Sequence, residues 1–275
     1  MMIFLYFAYN TPSKMGGIYM ETNRIYNIDC LEGLTQIEGE SVDMIFCDLP
    51  YGSTQNPWDT IIPPEQLWPQ YERIIKPHGA ILLFGQGAFT AAMIVSNQKL
   101  FRYNIVWQKT KPTGFLNANR MPLRSHEDIM VFYKALPVYY PQKSTGHTPV
   151  HTFTKHSSDG SNYGATKRGI SGGGATERFP TSVWRFASDT QKSALHPTQK
   201  PLALCQYAIR TYTRPGDLVL DNCCGSGSIP AAAALEGRQY IGMDNGVCEK
   251  EGSPYFGRPW AEIATERIVT LLDAA

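Results

Sequence analysis

The chain has 275 residues, 43% of them hydrophobic, with six cysteines and a formal net charge of +1. That length holds one large α/β domain, or a domain with an insertion, around a sizeable core. Cysteines without a C-x-x-C spacing exclude a structural metal-ligand set and a disulfide-stapled secreted fold, and point to free thiols in a reducing cytoplasm. A balance so near neutral neither demands nor excludes a polyanionic partner, so the local distribution of charge matters more.

Residues 1–19 are apolar and aromatic but lack a basic leader and are too short to span a bilayer. Met20 is an alternative start, which would make them an upstream extension. A first strand is expected near Arg24–Ile28, ending at Asp29, with a short helix over Leu31–Gln36. Val42–Cys47 is an apolar run that reads as a buried strand. It delivers Asp48-Leu49-Pro50-Tyr51 to a strand end, where ligands bind in an open α/β sheet. The tetrapeptide suits a planar nitrogenous base, because Tyr51 can stack on it while Asp48 and a backbone carbonyl accept from its amine. Trp58 reads first as a core tryptophan and second as a lid on that pocket.

Pro64–Ile75 has helical spacing and is stopped by Lys76-Pro77-His78-Gly79. Ala80–Phe84 is a strand, Phe89–Ser96 a helix, and Tyr103–Trp107 and Ile129–Tyr133 are strands. Between Lys99 and Arg124 lie six basic residues and no acidic one. Such a stretch can meet phosphates or form a plain solvated face. From about Pro137 to Ser193 Gly, Ser, Thr and His dominate and periodicity is lost, which marks an inserted module. The pattern resumes with a helix over Pro201–Tyr212, a strand over Asp217–Asp221, a helix over Ile229–Leu235, a strand over Gln239–Met243 and a helix over Ala261–Leu272. Strands alternating with helices predict a doubly wound, mostly parallel Rossmann-like sheet.

After that strand, Asp221-Asn222-Cys223-Cys224-Gly225-Ser226-Gly227 forms a tight turn into a helix start, which favours a nucleotide-like ligand. Asp244 ends the next strand, at a spacing that fits a ribose-binding acid. A dinucleotide and S-adenosylmethionine both suit this turn, although Pro230 occupies the third glycine of the dinucleotide pattern. His196-Pro197-Thr198-Gln199-Lys200-Pro201 precedes the helix feeding this strand and can place Thr198 and Lys200 beside a cofactor carboxylate.

In that order, Asp-Leu-Pro-Tyr, His-Pro-Thr-Gln-Lys-Pro and Asp-x-x-x-Gly-Ser-Gly-Ser resemble the permuted β group of DNA amino-methyltransferases, above all phage- and prophage-type adenine-N6 enzymes. The resemblance implies circularly permuted motifs, with a catalytic half at 20–139, a target-recognition insertion at 140–192 and a cofactor half at 193–275. It implies catalytic roles for Asp48, Leu49, Pro50 and Tyr51, although the family has a first proline where Leu49 stands. It implies S-adenosylmethionine held by Asp29, Thr198, Lys200, Asp221, Gly225, Ser226, Gly227 and Asp244. Asp29 reads equally well as an ordinary helix cap. His126-Glu127 resemble the family's helper segment near the target base. The expected partner is double-stranded DNA, met by Lys109, Lys111, Arg120, Arg124, His126, Lys167 and Arg168, with no metal and no membrane. A homodimer and a cognate endonuclease stay open. Cytosine-N4 methylation is the runner-up, since that group more often has Ser at position 48. A non-catalytic DNA-binding protein is the alternative of another class.

Overall fold

The computed structural model describes residues 20–53, 59–155, 170–188, 199–249 and 251–275. The 1–19 extension, Trp58, Lys167, Arg168 and Thr198 lie outside the described residues. In chain order the elements are β1 (Arg24–Tyr26), α1 (Cys30–Thr35), β2 (Val42–Cys47), α2 (Pro64–Ile74), β3 (Ile75–Gly85), α3 (Ala88–Ser96), β4 (Phe101–Thr113), a 3-10 turn (Phe115–Asn117) and β5 (Arg124–Phe132). Then come β6 (Phe153–Lys155), β7 (Ile170–Gly172), β8 (Val183–Phe186), α4 (Leu202–Tyr212), β9 (Leu218–Asp221), α5 (Ser228–Leu235), β10 (Gln239–Met243) and α6 (Trp260–Asp273).

The main sheet has the order β1-β10-β9-β2-β3-β5-β4-β8. Every neighbouring pair is parallel except the two that β5 makes, with β3 and with β4. Central strands must be apolar on both faces, and β2 and the 80–85 part of β3 are buried almost throughout. One face packs on α1, α2 and α3 through Leu34, Leu67, Tyr71 and Met93. The other packs on α4 and α5 through Leu204, Ala208, Ile229 and Ala232. The alanines of α5 let that helix lie close to its neighbours, so nearly all of it is buried.

The structure departs from the expected boundaries in three places. Lys76–Gly79 does stop α2, but as the opening of β3 rather than as a loop. The pairing with β2 shifts register between Val42 and Met44, and Lys76 grips both oxygens of Asp43 at 2.7 Å. A Cβ on Gly79 would lie 2.8 Å from the Asp43 carbonyl, so glycine is required at this crowded crossing. β4 and β5 run well past the apolar core as a longer antiparallel pair. Finally, Val183–Phe186 falls inside the range expected for the insertion, yet it pairs with β4 as the edge strand of the main sheet. Trp184 supplies the anchor, at 6% exposure against the edge of Tyr207.

The chain leaves β2 towards β3 on one side, and later leaves β9 towards β10 on the other. The ends of β2 and β9, paired through Ile45 and Leu220, therefore flank the switch point of the sheet. The fully buried Tyr71 hydroxyl of α2 reaches this junction and donates to Asn222 Oδ1 at 2.6 Å. Tyr71→Phe should lower the urea-unfolding free energy by about 1–3 kcal/mol, because it strands a buried amide oxygen. Unchanged stability would show that the bond contributes nothing.

Candidate active site

A cavity of about 740 Å³ opens at the switch point. Its walls come from the segment after β2, the turn after β9, the end of β10, the start of α1 and the outer halves of β4 and β5.

Asp48 stands at its centre. Tyr51 donates its hydroxyl to Asp48 Oδ1 at 2.7 Å, and the Lys200 ammonium pairs with Oδ2. Burial pushes the Asp48 carboxyl up and Lys200 opposes the shift. Burial works against the charge on Lys200, but Asp48 and Glu127 outweigh it and raise its pKa. Tyr51 stacks on Phe89 with centroids 4.7 Å apart, and its phenol is pushed well up by burial and then by Asp48. Leu49 is 4% exposed and packs into the core, so its side chain fixes the backbone on which its carbonyl sits. Gly52 adopts φ +65°, and the Gly52 and Ser53 amides donate to the two oxygens of Asp59 at 2.8 and 2.9 Å. That clamp holds the segment after the tetrapeptide; nothing in the local pattern around Asp59 reveals it.

β5 settles which helper residue enters the cavity. Successive side chains on a strand face opposite ways. Glu127 lines the cavity, whereas His126 is exposed and is not among its walls. Glu127 Oε1 pairs with Lys109 at 2.6 Å and Oε2 lies 3.5 Å from Lys200. Burial raises the Glu127 carboxyl, but the two lysines overcome it and hold the pKa below its ordinary value. Lys109 is thereby corrected as a phosphate contact: its side chain is only 10% exposed, committed to Glu127 and set over the Trp107 ring. Lys200, expected beside a cofactor carboxylate, is instead on Asp48 and Glu127. Arg120 and Lys111 are exposed, and Arg124 is exposed at the cavity edge, donating to Gln86 at 3.1 Å.

On the opposite wall, Asp244 accepts from the Gly225 amide at 2.8 Å and the Gly246 amide at 2.9 Å, tying the glycine turn to β10. Asp29 caps α1, taking the Leu31 and Glu32 amides on one oxygen, and also lines the cavity. Asp221 is 2% exposed, and burial lifts its carboxyl to about 8. Gly225 and Ser226 line the cavity but Gly227 does not. A Cβ on Gly227 would meet Ala264 Cβ at 2.8 Å, so this glycine makes room for α6 rather than for a ligand. Arg267 of α6 braces the same turn, donating to the Ser226 carbonyl at 2.9 Å and to Ser228 Oγ at 3.0 Å. Within the described residues, no His, Cys, Asp or Glu cluster is fit to hold a metal, and no helix is long and apolar enough to cross a membrane.

A family model described as DNA methylase matches residues 42–249, which takes in most of the cavity lining, Asp48 and the glycine turn included. The chain belongs to this N6/N4-type DNA methylase family. Among curated proteins, it is similar to the Type II methyltransferase M1.MboII of Moraxella bovis, 28% identical over 250 residues, 82% of this chain and 92% of that relative. It is also similar to M.HinfI of Haemophilus influenzae, 27% identical over 256 residues, 81% of this chain and 64% of that relative. Among solved structures, the M1.HpyAVI–SAM complex has a TM-score of 0.56 at 22% identity, covering 89% of this chain and 98% of its own. PvuII DNA methyltransferase, titled cytosine-N4-specific, has a TM-score of 0.61 at 13% identity, covering 93% of each chain. The DNA methylase fold thus spans most of this chain.

Asp221 gives the site a pH signature. Its folded pKa of about 8 lies above the ordinary 3.8, so the folded state holds the proton where the unfolded chain has lost it. Its cost to stability is absent below about pH 4, grows as pH rises and is complete above about pH 8. The unfolding free energy of Asp221→Asn minus that of the native chain should therefore rise across this window. A pH-independent difference would contradict the neutral carboxyl.

Proposed function

We propose that this DNA methylase transfers a methyl group from S-adenosylmethionine to the N6 amine of an adenine extruded from duplex DNA. The observation that carries the reading is one cavity with a half-buried carboxylate and stacking ring on one wall and a glycine turn with strand-end acids on the other. A cavity of about 740 Å³ is within the usual range of small-molecule pockets. Asp29, Asp244, Gly225 and Ser226 line it and are the groups that would hold the cofactor. When bound, S-adenosylmethionine supplies a methyl on a sulfonium that departs as a neutral thioether.

The chain's own residues make the amine reactive. An amine conjugated with its ring is a poor nucleophile. Asp48 and the Leu49 carbonyl would accept its two hydrogens and localise the lone pair on nitrogen, by positioning and electrostatics alone. One proton must leave as the C–N bond forms, and Asp48 is placed to take it and pass it to water. Tyr51 offers a ring for the extruded base, a stack worth roughly 1–3 kcal/mol. Extrusion is needed because the amine is confined within a paired duplex. Asp at position 48, rather than Ser, supports adenine over cytosine. Lys111, Arg120 and Arg124 follow the outer ends of β4 and β5 and are the phosphate contacts this reading retains.

Asp48→Ala should abolish methyl transfer while S-adenosylmethionine binds within a few-fold of the native affinity, both measured on one preparation. Retained transfer would refute the assignment. Arg120→Ala should weaken duplex binding for all sequences alike and lower the slope of log affinity against log salt by about 1. An unchanged slope would remove Arg120 from the interface.

A further inference from the structure

We propose that Lys200 occupies the place of the target amine on Asp48, and that Glu127 receives the ammonium when the base arrives. The inference rests on the amine-methylating reading above and adds how the pocket is held before substrate.

Both oxygens of Asp48 are already engaged, Oδ1 by the Tyr51 hydroxyl and Oδ2 by Lys200. An ammonium and an exocyclic amine present the same face to a carboxylate: N–H groups that only donate. A largely enclosed carboxylate left without a counter-charge is disfavoured, so the Lys200 ammonium stabilises the resting pocket. For an amine to take the position Lys200 holds on Oδ2, that cation must move.

The destination is visible. Glu127 Oε2 is buried and has no hydrogen-bond partner, although Lys200 Nζ is 3.5 Å away. Its other oxygen is paired with Lys109 at 2.6 Å. An orphaned buried oxygen in a native fold calls for an explanation. Here it is an acceptor that the Lys200 ammonium faces without yet bonding. A swing of the side chain away from Asp48 and onto this oxygen would replace the lost contact with a charge-assisted bond of roughly 2.7–2.9 Å. The flexible four-carbon stem of lysine permits this, where a planar arginine would not. The Phe84 and Tyr51 rings lie 4.8 and 5.9 Å from Nζ, an aromatic wall that favours the cation while it moves.

The exchange is also neutral overall. Asp48, Glu127, Lys109 and Lys200 balance before and after an uncharged base enters, so no net charge leaves the pocket. Asp221, Cys47 and Tyr51 are the other titratable groups against Asp48. The gate opens only to a ligand that can itself donate to Asp48. It therefore admits amino bases and rejects a carbonyl at that position.

Glu127→Gln keeps the shape and removes the charge that receives the lysine. Its single-turnover methylation rate on duplex DNA should fall about tenfold or more, with S-adenosylmethionine affinity unchanged within about twofold. Lys200→Met removes the gate but leaves Asp48 without its cation, so the acid limb of its pH–rate profile should move to higher pH. A side chain with a merely structural role would lower the rate without moving that limb. The proposal is overturned if Glu127→Gln methylates at the native rate. It is equally overturned if Lys200→Met keeps the native acid limb and instead loses cofactor affinity, which would place the ammonium on the cofactor. If the native chain itself methylates no amino base in the same assay, the amine-methylating reading fails, and the gate with it.

Discussion

The site depends on β2 and β9 lying side by side while the chain departs from them in opposite directions. That arrangement leaves a crevice that no connecting segment covers, at the carboxyl ends of parallel strands. β2 brings Asp48 and Tyr51 to one lip, and β9 brings the glycine turn to the other. The Ile45–Leu220 pairing fixes their separation. Tyr71, by donating to Asn222 from α2, fastens the turn to the helix layer beneath β2. A slip of either strand would move Asp48 and Tyr51 away from the glycine turn, so register sets the geometry of the site.

Electrostatics then keep this crevice ready. Lys109, Glu127, Lys200 and Asp48 form a run of alternating charges from the β4–β5 pair to the tetrapeptide. Each carboxylate has a cation, which is what makes burial of the group tolerable. The opposite wall works differently. Asp244 is held by peptide amides, and Asp221 by burial that favours its neutral form. Charge is concentrated on the Asp48 side, and the opposite wall is built of backbone donors and neutral or amide-bound acids.

Much of this was legible in the sequence. Val42–Cys47 and Ala80–Phe84 are apolar on both faces, and only a central strand of a covered sheet uses such runs. The tetrapeptide and the glycine turn were legible as strand-end chemistry. Other parts were not. β8 hides in a segment rich in Gly, Ser and Thr, because four residues with one buried tryptophan give no periodic signal. Gly227 looked like a ligand-facing glycine; only the position of Ala264 shows that it serves helix packing. Lys200 and Asp48 are 152 residues apart, and a partner at that separation is invisible to local pattern. Likewise Lys109 sat in a basic stretch that reads as a phosphate face, and only the strand pairing of β4 with β5 turned it towards Glu127.

The central proposal is that Asp48 and the glycine turn cooperate on the N6 amine of adenine. Nucleoside mass spectrometry of duplex DNA incubated with the purified chain and S-adenosylmethionine tests it most directly. The account predicts N6-methyladenine. N4-methylcytosine alone, or no methylated nucleoside at all, would contradict it.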